Sequence, residues 1–207
     1  MNKRNLLAFC AAIAAMSLVV SNIITNKQVS VFGWAVGAGG FCVPISYVID
    51  DVLAEVYGYR TARAVILAGF VANALAVLYF ELTIAAPAVP TFSSQTAFET
   101  VLGCTWRTTL ASFVAYLVGS ISNAKIMQAM HDRDGERGLF ARCMASTVVG
   151  EFLDMAVFVV VAFAGVLPIE VMAQLLVASP LVKVAVELVF YPIVTKHAIA
   201  WAKKLPE

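Results

Sequence analysis

The run CMASTVVGEFLDMAVFVVVAFAGVL, residues 143–167, decides how this chain is to be read. It is almost unbroken hydrophobic sequence, and it exceeds the roughly 20 residues a helix needs to cross a bilayer's hydrocarbon core. Yet it holds Glu151 and Asp154, three positions apart and therefore on one helix face. Ionisable groups in such a segment are costly unless they meet a partner, a cavity or a ligand. Working outward, two further apolar stretches repeat the pattern: Asp51 with Glu55, and Lys183 with Glu187. Three such pairs point to a protein that handles something polar inside a membrane.

Composition agrees. The chain is 61% hydrophobic and 13% charged, with a mean hydropathy of +0.88. A soluble domain carries about 25% charged residues, so this chain lacks the polar surface to face water all round. Its net charge of +1 gives no bulk attraction for polyanions, and no nucleic-acid partner is expected. The cysteines Cys10, Cys42, Cys104 and Cys143 form no CxxC and have no nearby His, so neither a metal nor another cofactor is expected. They read as small apolar fillers, although Cys42 and Cys104 fall near one membrane face, where a disulfide is geometrically open.

Six stretches are predicted to span: 6–24, 41–58, 62–84, 107–127, 143–167 and 171–198. The second is the shortest and most polar, and needs shelter from its neighbours. Residues 1–17 imitate a signal peptide, but charge placement argues for a retained helix. With that helix kept, one side holds Lys3, Arg4, Arg60, Arg63, Lys125, Arg133, Arg137, Arg142, Lys196, Lys203 and Lys204; the other holds Lys27 alone. Positive residues mark the cytoplasmic side. The expectation is an all-α polytopic protein of the inner (cytoplasmic) membrane, one domain over 1–207, with six transmembrane helices and both termini cytoplasmic.

Between spans, Gln28-Val-Ser-Val-Phe-Gly33 alternates like a short strand, and Gly37-Ala-Gly-Gly40 reads as a tight cap at the outer face. After Pro87 and Pro90, the spacing of Gln95, Phe98, Glu99 and Leu102 predicts a short amphipathic helix on the outer surface. Gly58 reads as the close of the second helix, and Pro192 as a kink in the sixth.

At the helical rise per residue, all three charged pairs fall in one slab about the bilayer centre. Asp50, Asp51, Glu55, Glu151, Asp154 and Glu187 then face only Lys183 and, nearer the outside, Arg107. Six carboxylates cannot all stay ionised in a low dielectric without a donor-rich or cationic ligand. Structural roles compete with this. Lys183 and Glu187 can pair with each other, and Glu55 reads as a neighbour of Arg60 and Arg63. Asn22, Asn73, Ser112, Tyr116, Asn123, Ser146 and Tyr191 read first as interhelical glue. No GxSxG, HExxH, Walker A or GxGxxG pattern supports an enzyme.

Ser21-Asn-Ile-Ile24, Pro44-x-x-Tyr47-Val-Ile-Asp50-Asp51-x-x-x-Glu55-Val-Tyr-Gly58 and Arg60-x-x-Arg63 resemble the first third of queuosine-precursor transporters, the vitamin uptake transporter family. Arg107-x-x-x-Ala111-Ser112-x-x-x-Tyr116-x-x-Gly119 resembles that family's fourth helix, Ser146 through Phe163 its fifth, and Lys183 through Pro192 its sixth. The chain departs from some members at Ser120 and Asn123, where Gln and Asp are found, and at Glu151 and Glu187. The resemblance implies a six-helix importer of cyano- and aminomethyl-deazaguanine bases, salvaged into the queuosine of transfer RNA. It also implies likeness to the substrate-binding subunits of energy-coupling-factor importers.

A deazaguanine offers adjacent ring N–H and exocyclic amine donors, which one carboxylate accepts bidentately. Its flat ring suits Phe41, Tyr47 or Trp106. The expected substrate-binding set is Glu151 and Asp154 on the donor edge, Asp51 and Lys183 completing the pocket, Asn123 and Glu187 beside them, and Arg107 with 95–102 at the outer entrance. Glu187 and Asp50 are the candidates for proton coupling. The expected partners are a small-molecule base and the lipid bilayer, with a homo-oligomer allowed. Two other classes compete: a binding subunit of an ATP-driven vitamin or nucleobase importer, and an intramembrane aspartyl hydrolase using Asp51 and Asp154 as a dyad.

Overall fold

Helices dominate the computed structural model, as the long apolar runs predict. It describes the backbone of residues 1–134 and 139–206, and their side chains except at 123–124, 127–128, 131–134 and 139–147. In chain order come α1 (Lys3–Ile24), strands β1 (Gln28–Val31) and β2 (Trp34–Gly37), a 3₁₀ turn (Ala38–Cys42), α2 (Val43–Val52) and a π turn (Leu53–Tyr57). Then follow α3 (Tyr59–Ala85), α4 (Gln95–Leu102), α5 (Thr105–Asp134), α6 (Leu139–Phe163), α7 (Ile169–Phe190), a second π turn (Tyr191–Thr195) and α8 (Lys196–Lys203).

Among the described residues, four helical runs are long and apolar enough to cross a membrane: Lys3–Ile24, Tyr59–Ala85, Gln95–Ser122 and Ile169–Lys203. Their mean hydropathies are 2.3, 2.0, 1.3 and 1.7. The stretch at 143–167 lies on α6, a 25-residue helix whose first turns fall outside the described side chains. The stretch at 41–58 is helical but irregular, passing from a 3₁₀ turn through ten α-helical residues into a π turn. Gly58 ends it at φ +82°, a left-handed conformation that glycine adopts without Cβ strain.

The chain forms two contact units. The first comprises Met1–Val29, Gly37–Thr109 and Leu181–Glu207. Its core gathers Leu6 and Cys10 of α1, Ile49 and Val52 of α2, Leu53 of the π turn, Ala62 of α3 and Ala202 of α8. The spacings Leu6/Cys10 and Ile49/Val52/Leu53 are those of one helix face. Leu53 and Ala202 are fully buried, so α8 seals one end of this unit rather than trailing from it. Polar side chains join its helices: Asn73 Nδ2 on α3 donates to Thr109 Oγ1 on α5 (3.1 Å), and Thr108 Oγ1 donates to the Asn22 carbonyl on α1 (2.9 Å). Asn73 thus takes the structural role expected of polar side chains between apolar helices, whereas Asn22 contributes its backbone carbonyl.

The glycine-rich cap packs directly on α1. A Cβ at Gly39 would stand 2.7 Å from Ser21 Oγ and 2.9 Å from the Ser21 carbonyl oxygen. Gly39→Val is therefore expected to destabilise the protein by about 1–3 kcal/mol, the usual cost of overpacking. The check is its melting temperature in detergent; an unchanged value would contradict this close approach.

The second unit comprises Ser30–Val36 and Leu110–Pro180. Its core is Ala111 of α5, Met155, Val159, Ala162 and Phe163 of α6, and Leu175 of α7. The strand expected at 28–33 is present and pairs with β2 through the two-residue turn Phe32-Gly33. Both turn residues have positive φ, 50° and 84°, the twist that suits a tight hairpin. The Ala35 amide donates to Gln174 Oε1 at 3.0 Å, fastening β2 to α7.

The amphipathic helix expected over 95–102 is α4. Gln95 Nε2 bonds Glu99 Oε1 (2.7 Å) and the Ile84 carbonyl (3.2 Å), which ties the helix to the end of α3. Phe92 and Phe98 meet edge-to-face at 6.4 Å. The geometrically open disulfide is absent: Cys42 and Cys104 are both free thiols.

Candidate functional site

Glu151 and Asp154 lie one turn apart on α6, both half-buried. Their neighbours Val148, Val149, Phe152 and Leu153 are exposed and wholly apolar. Gly150 and Met155 are buried. The helix therefore presents hydrocarbon outward and turns its carboxylates toward protein, the arrangement required of charges in an apolar span. What faces Asp154 is a glycine: a Cβ at Gly119 of α5 would stand 3.1 Å from Asp154 Cβ and 3.3 Å from the Gly150 carbonyl oxygen. Small residues let helix backbones approach this closely, and here the approach fixes where the Asp154 carboxylate projects. Both carboxylates are engaged in polar interactions in this structure.

The first unit holds Asp51, Arg107, Lys183 and Glu187, all half-buried. Lys183 and Glu187 are one turn apart on α7, just before the π turn that contains Pro192 and packs against α2. The kink expected at Pro192 is thus a π turn. Proline lacks the N–H that an α-turn would use, and the wider turn accommodates that loss. Arg107 sits in the first turn of α5 and is engaged, as are Lys183 and Glu187. Asn123 lies on α5, with its side chain outside the described residues.

One sequence expectation changes. Asp51 and Glu55 stay about one turn apart across the passage from α-helix into the π turn that begins at Leu53. Glu55 is exposed, and its partner is not Arg60 or Arg63: Lys203 Nζ of α8 donates to Glu55 Oε2 at 2.9 Å. Both side chains are more than half exposed, 52% and 59%, so solvent screens the pair. Lys203→Ala is expected to cost at most about 1 kcal/mol of stability. A detergent melt showing a much larger loss would mean the pair does more than fasten α8.

Of the three aromatic candidates, Phe41 and Trp106 are largely exposed, at 70% and 51%. Tyr47 is half-buried and precedes Asp51 by one α-helical turn, so the two share a face of α2. The buried Thr105 and Thr108, beside the half-buried Thr109, are a polar group that the sequence does not single out. Its signal was a threonine-rich helix start, which reads more simply as capping.

All three charged pairs fall inside a single match: residues 37–196 fit the family described as "Putative vitamin uptake transporter". The chain belongs to the vitamin uptake transporter family. Over 191 residues, 91% of this chain and 81% of its relative, it is 30% identical to the "Probable queuosine precursor transporter" of Bacillus subtilis (strain 168). No solved structure matches it. Family and membrane-length helices together make it a multi-pass membrane transporter of small molecules.

Proposed function

We propose that this transporter imports deazaguanine queuosine precursors, with the cyano- and aminomethyl-bearing bases as its substrates. The chain crosses the inner membrane six times, with both termini cytoplasmic. The observation that carries the reading is the carboxylate pair Glu151 and Asp154, turned away from the apolar face of α6 and set against Gly119. A carboxylate held this way accepts from two adjacent N–H donors at once, and the donor edge of a deazaguanine supplies them. Asp51, Lys183, Tyr47 and Arg107, all in the first unit, are the further candidate substrate contacts. The cationic aminomethyl group takes the second carboxylate. Rocking of helices about the broken segments at Leu53–Tyr57 and Tyr191–Thr195 would expose the site to each side in turn. The name of the Bacillus subtilis relative supports the substrate class.

The deciding experiment is uptake of radiolabelled precursor by cells unable to synthesise it. Wild type restores uptake; if Glu151→Gln and Asp154→Asn restore it equally, the site assignment fails. Uptake by the purified protein alone in liposomes separates a self-sufficient importer from the binding subunit of an ATP-driven one.

A further inference from the structure

A cavity lies at the Lys3 end of α1, beside the π turn Leu53–Tyr57. It encloses about 430 Å³ and is lined by Asn2, Lys3, Arg4, Leu7, Val56 and Tyr57. That volume falls within the range of small-molecule sites. Its chemistry is divided. Lys3 and Arg4 bring two cations, Asn2 and Tyr57 add neutral polar groups, and no acidic residue is among the described residues that line it. Leu7 and Val56 supply an apolar wall.

The wall is held in place. Tyr57 Oη donates to the Lys3 carbonyl at 2.7 Å, and the Lys3 amide donates to the Pro206 carbonyl at 2.8 Å. These bonds link the π turn, the start of α1 and the segment after α8, so the lining is anchored on three sides. Arg4 is exposed at the rim.

The cavity's level in the membrane follows from its surroundings. After Asn5, α1 is apolar from Leu6 to Val20 but for Ser17. Tyr59 and Trp201, in the same unit, are 73% and 50% exposed at helix positions flanking the π turn and the chain's last helix. Exposed Tyr and Trp beside Lys and Arg mark the headgroup layer, where an aromatic ring and a charged tip both find their solvent. A cavity with cations on one side and aliphatic wall on the other, at that depth, matches a molecule with a phosphate joined to an acyl chain.

We propose that this cavity binds a phosphate-bearing anion, Arg4 and Lys3 receiving the phosphate, with the headgroup of an anionic phospholipid as its source. Leu7 and Val56 would lie along the beginning of the lipid's glycerol and acyl portion. This assignment is independent of which base the protein transports.

The test uses the full chain in detergent, titrated separately with short-chain phosphatidylglycerol, short-chain phosphatidylcholine and glycerol phosphate. Binding is read by native mass spectrometry and by the melting midpoint. Phosphatidylglycerol should bind and raise the midpoint, while phosphatidylcholine and glycerol phosphate should do neither. Losing charge-assisted hydrogen bonds in the double variant Lys3→Gln/Arg4→Gln should weaken that binding about tenfold or more. Lys27→Gln, beyond the opposite end of α1, should leave it unchanged. Arg4→Gln alone, at an exposed position that tolerates substitution, gives the same discrimination without disturbing the Lys3 backbone bonds. Glycerol phosphate binding as tightly as phosphatidylglycerol would keep the anion site but overturn the lipid as its source. Equal binding of phosphatidylcholine, or phosphatidylglycerol binding untouched by Arg4→Gln and by the double variant, overturns the site itself.

Discussion

Asp154→Asn is expected to cut precursor uptake about ten- to a hundredfold while leaving the protein in the membrane. The substitution keeps the shape of the side chain, so the close packing against Gly119 survives. What changes is the chemistry at its tip. A carboxylate offers two acceptor oxygens, whereas an amide replaces one of them with a donor. Opposite a base edge that presents only donors, one hydrogen bond is lost and two N–H groups are brought face to face. Hydrogen bonds to charged groups are worth about 1.5–3 kcal/mol, and each 1.4 kcal/mol is a factor of about ten. The measurement is initial uptake of labelled precursor, paired with binding by the purified variant. Binding and uptake should fall together. Uptake at the wild-type rate would remove Asp154 from the substrate site.

Gly119→Leu is expected to abolish uptake altogether, through packing rather than charge. Even a single added carbon would lie 3.1 Å from Asp154 Cβ and 3.3 Å from the Gly150 carbonyl oxygen, closer than ordinary van der Waals contact. A leucine must push α5 from α6 or force Asp154 into another rotamer. Overpacking of this kind costs about 1–3 kcal/mol, and in either case the carboxylate leaves its place. Gly119→Ala should be intermediate, since its one methyl needs only a few tenths of an ångström of relief. The readouts are uptake and detergent melting temperature for both variants. A leucine variant with normal uptake would show that the α5–α6 approach does not position the site.

The helices were legible because length and apolarity dominate a membrane chain, and the α4 and hairpin segments because their periodicities are local. Gly58 and Pro192 also announced themselves, each through a backbone property that no neighbour can override. Tertiary contacts were not legible. Sequence proximity pairs Glu55 with Arg60 and Arg63, yet its partner stands 148 residues away on α8. The turn at Leu53 gave no warning, because nothing in Leu-Ala-Glu-Val-Tyr forbids an α-helix. The wider turn packs against α1, α3 and α8, neighbours that the local sequence does not reveal. Pro180 carries the same helix-breaking signal as Pro192, yet it lies buried inside α7. At the candidate site the spacing of Glu151 and Asp154 was readable, whereas the glycine that seats Asp154 became meaningful only with two helices side by side.

The core that joins Leu6 and Cys10 to Ala202 has a consequence for how the protein is made. Its first contributors leave the ribosome long before its last. At about 5–20 residues per second, the interval for this chain is roughly 10–40 s. Throughout it the Leu6 and Cys10 face of α1 lacks the cover that α8 finally supplies. The second unit, built mainly from one continuous stretch, has no such delay. Assembly should therefore proceed from the middle of the chain outward, and the earliest helix to enter the bilayer should be among the last to settle.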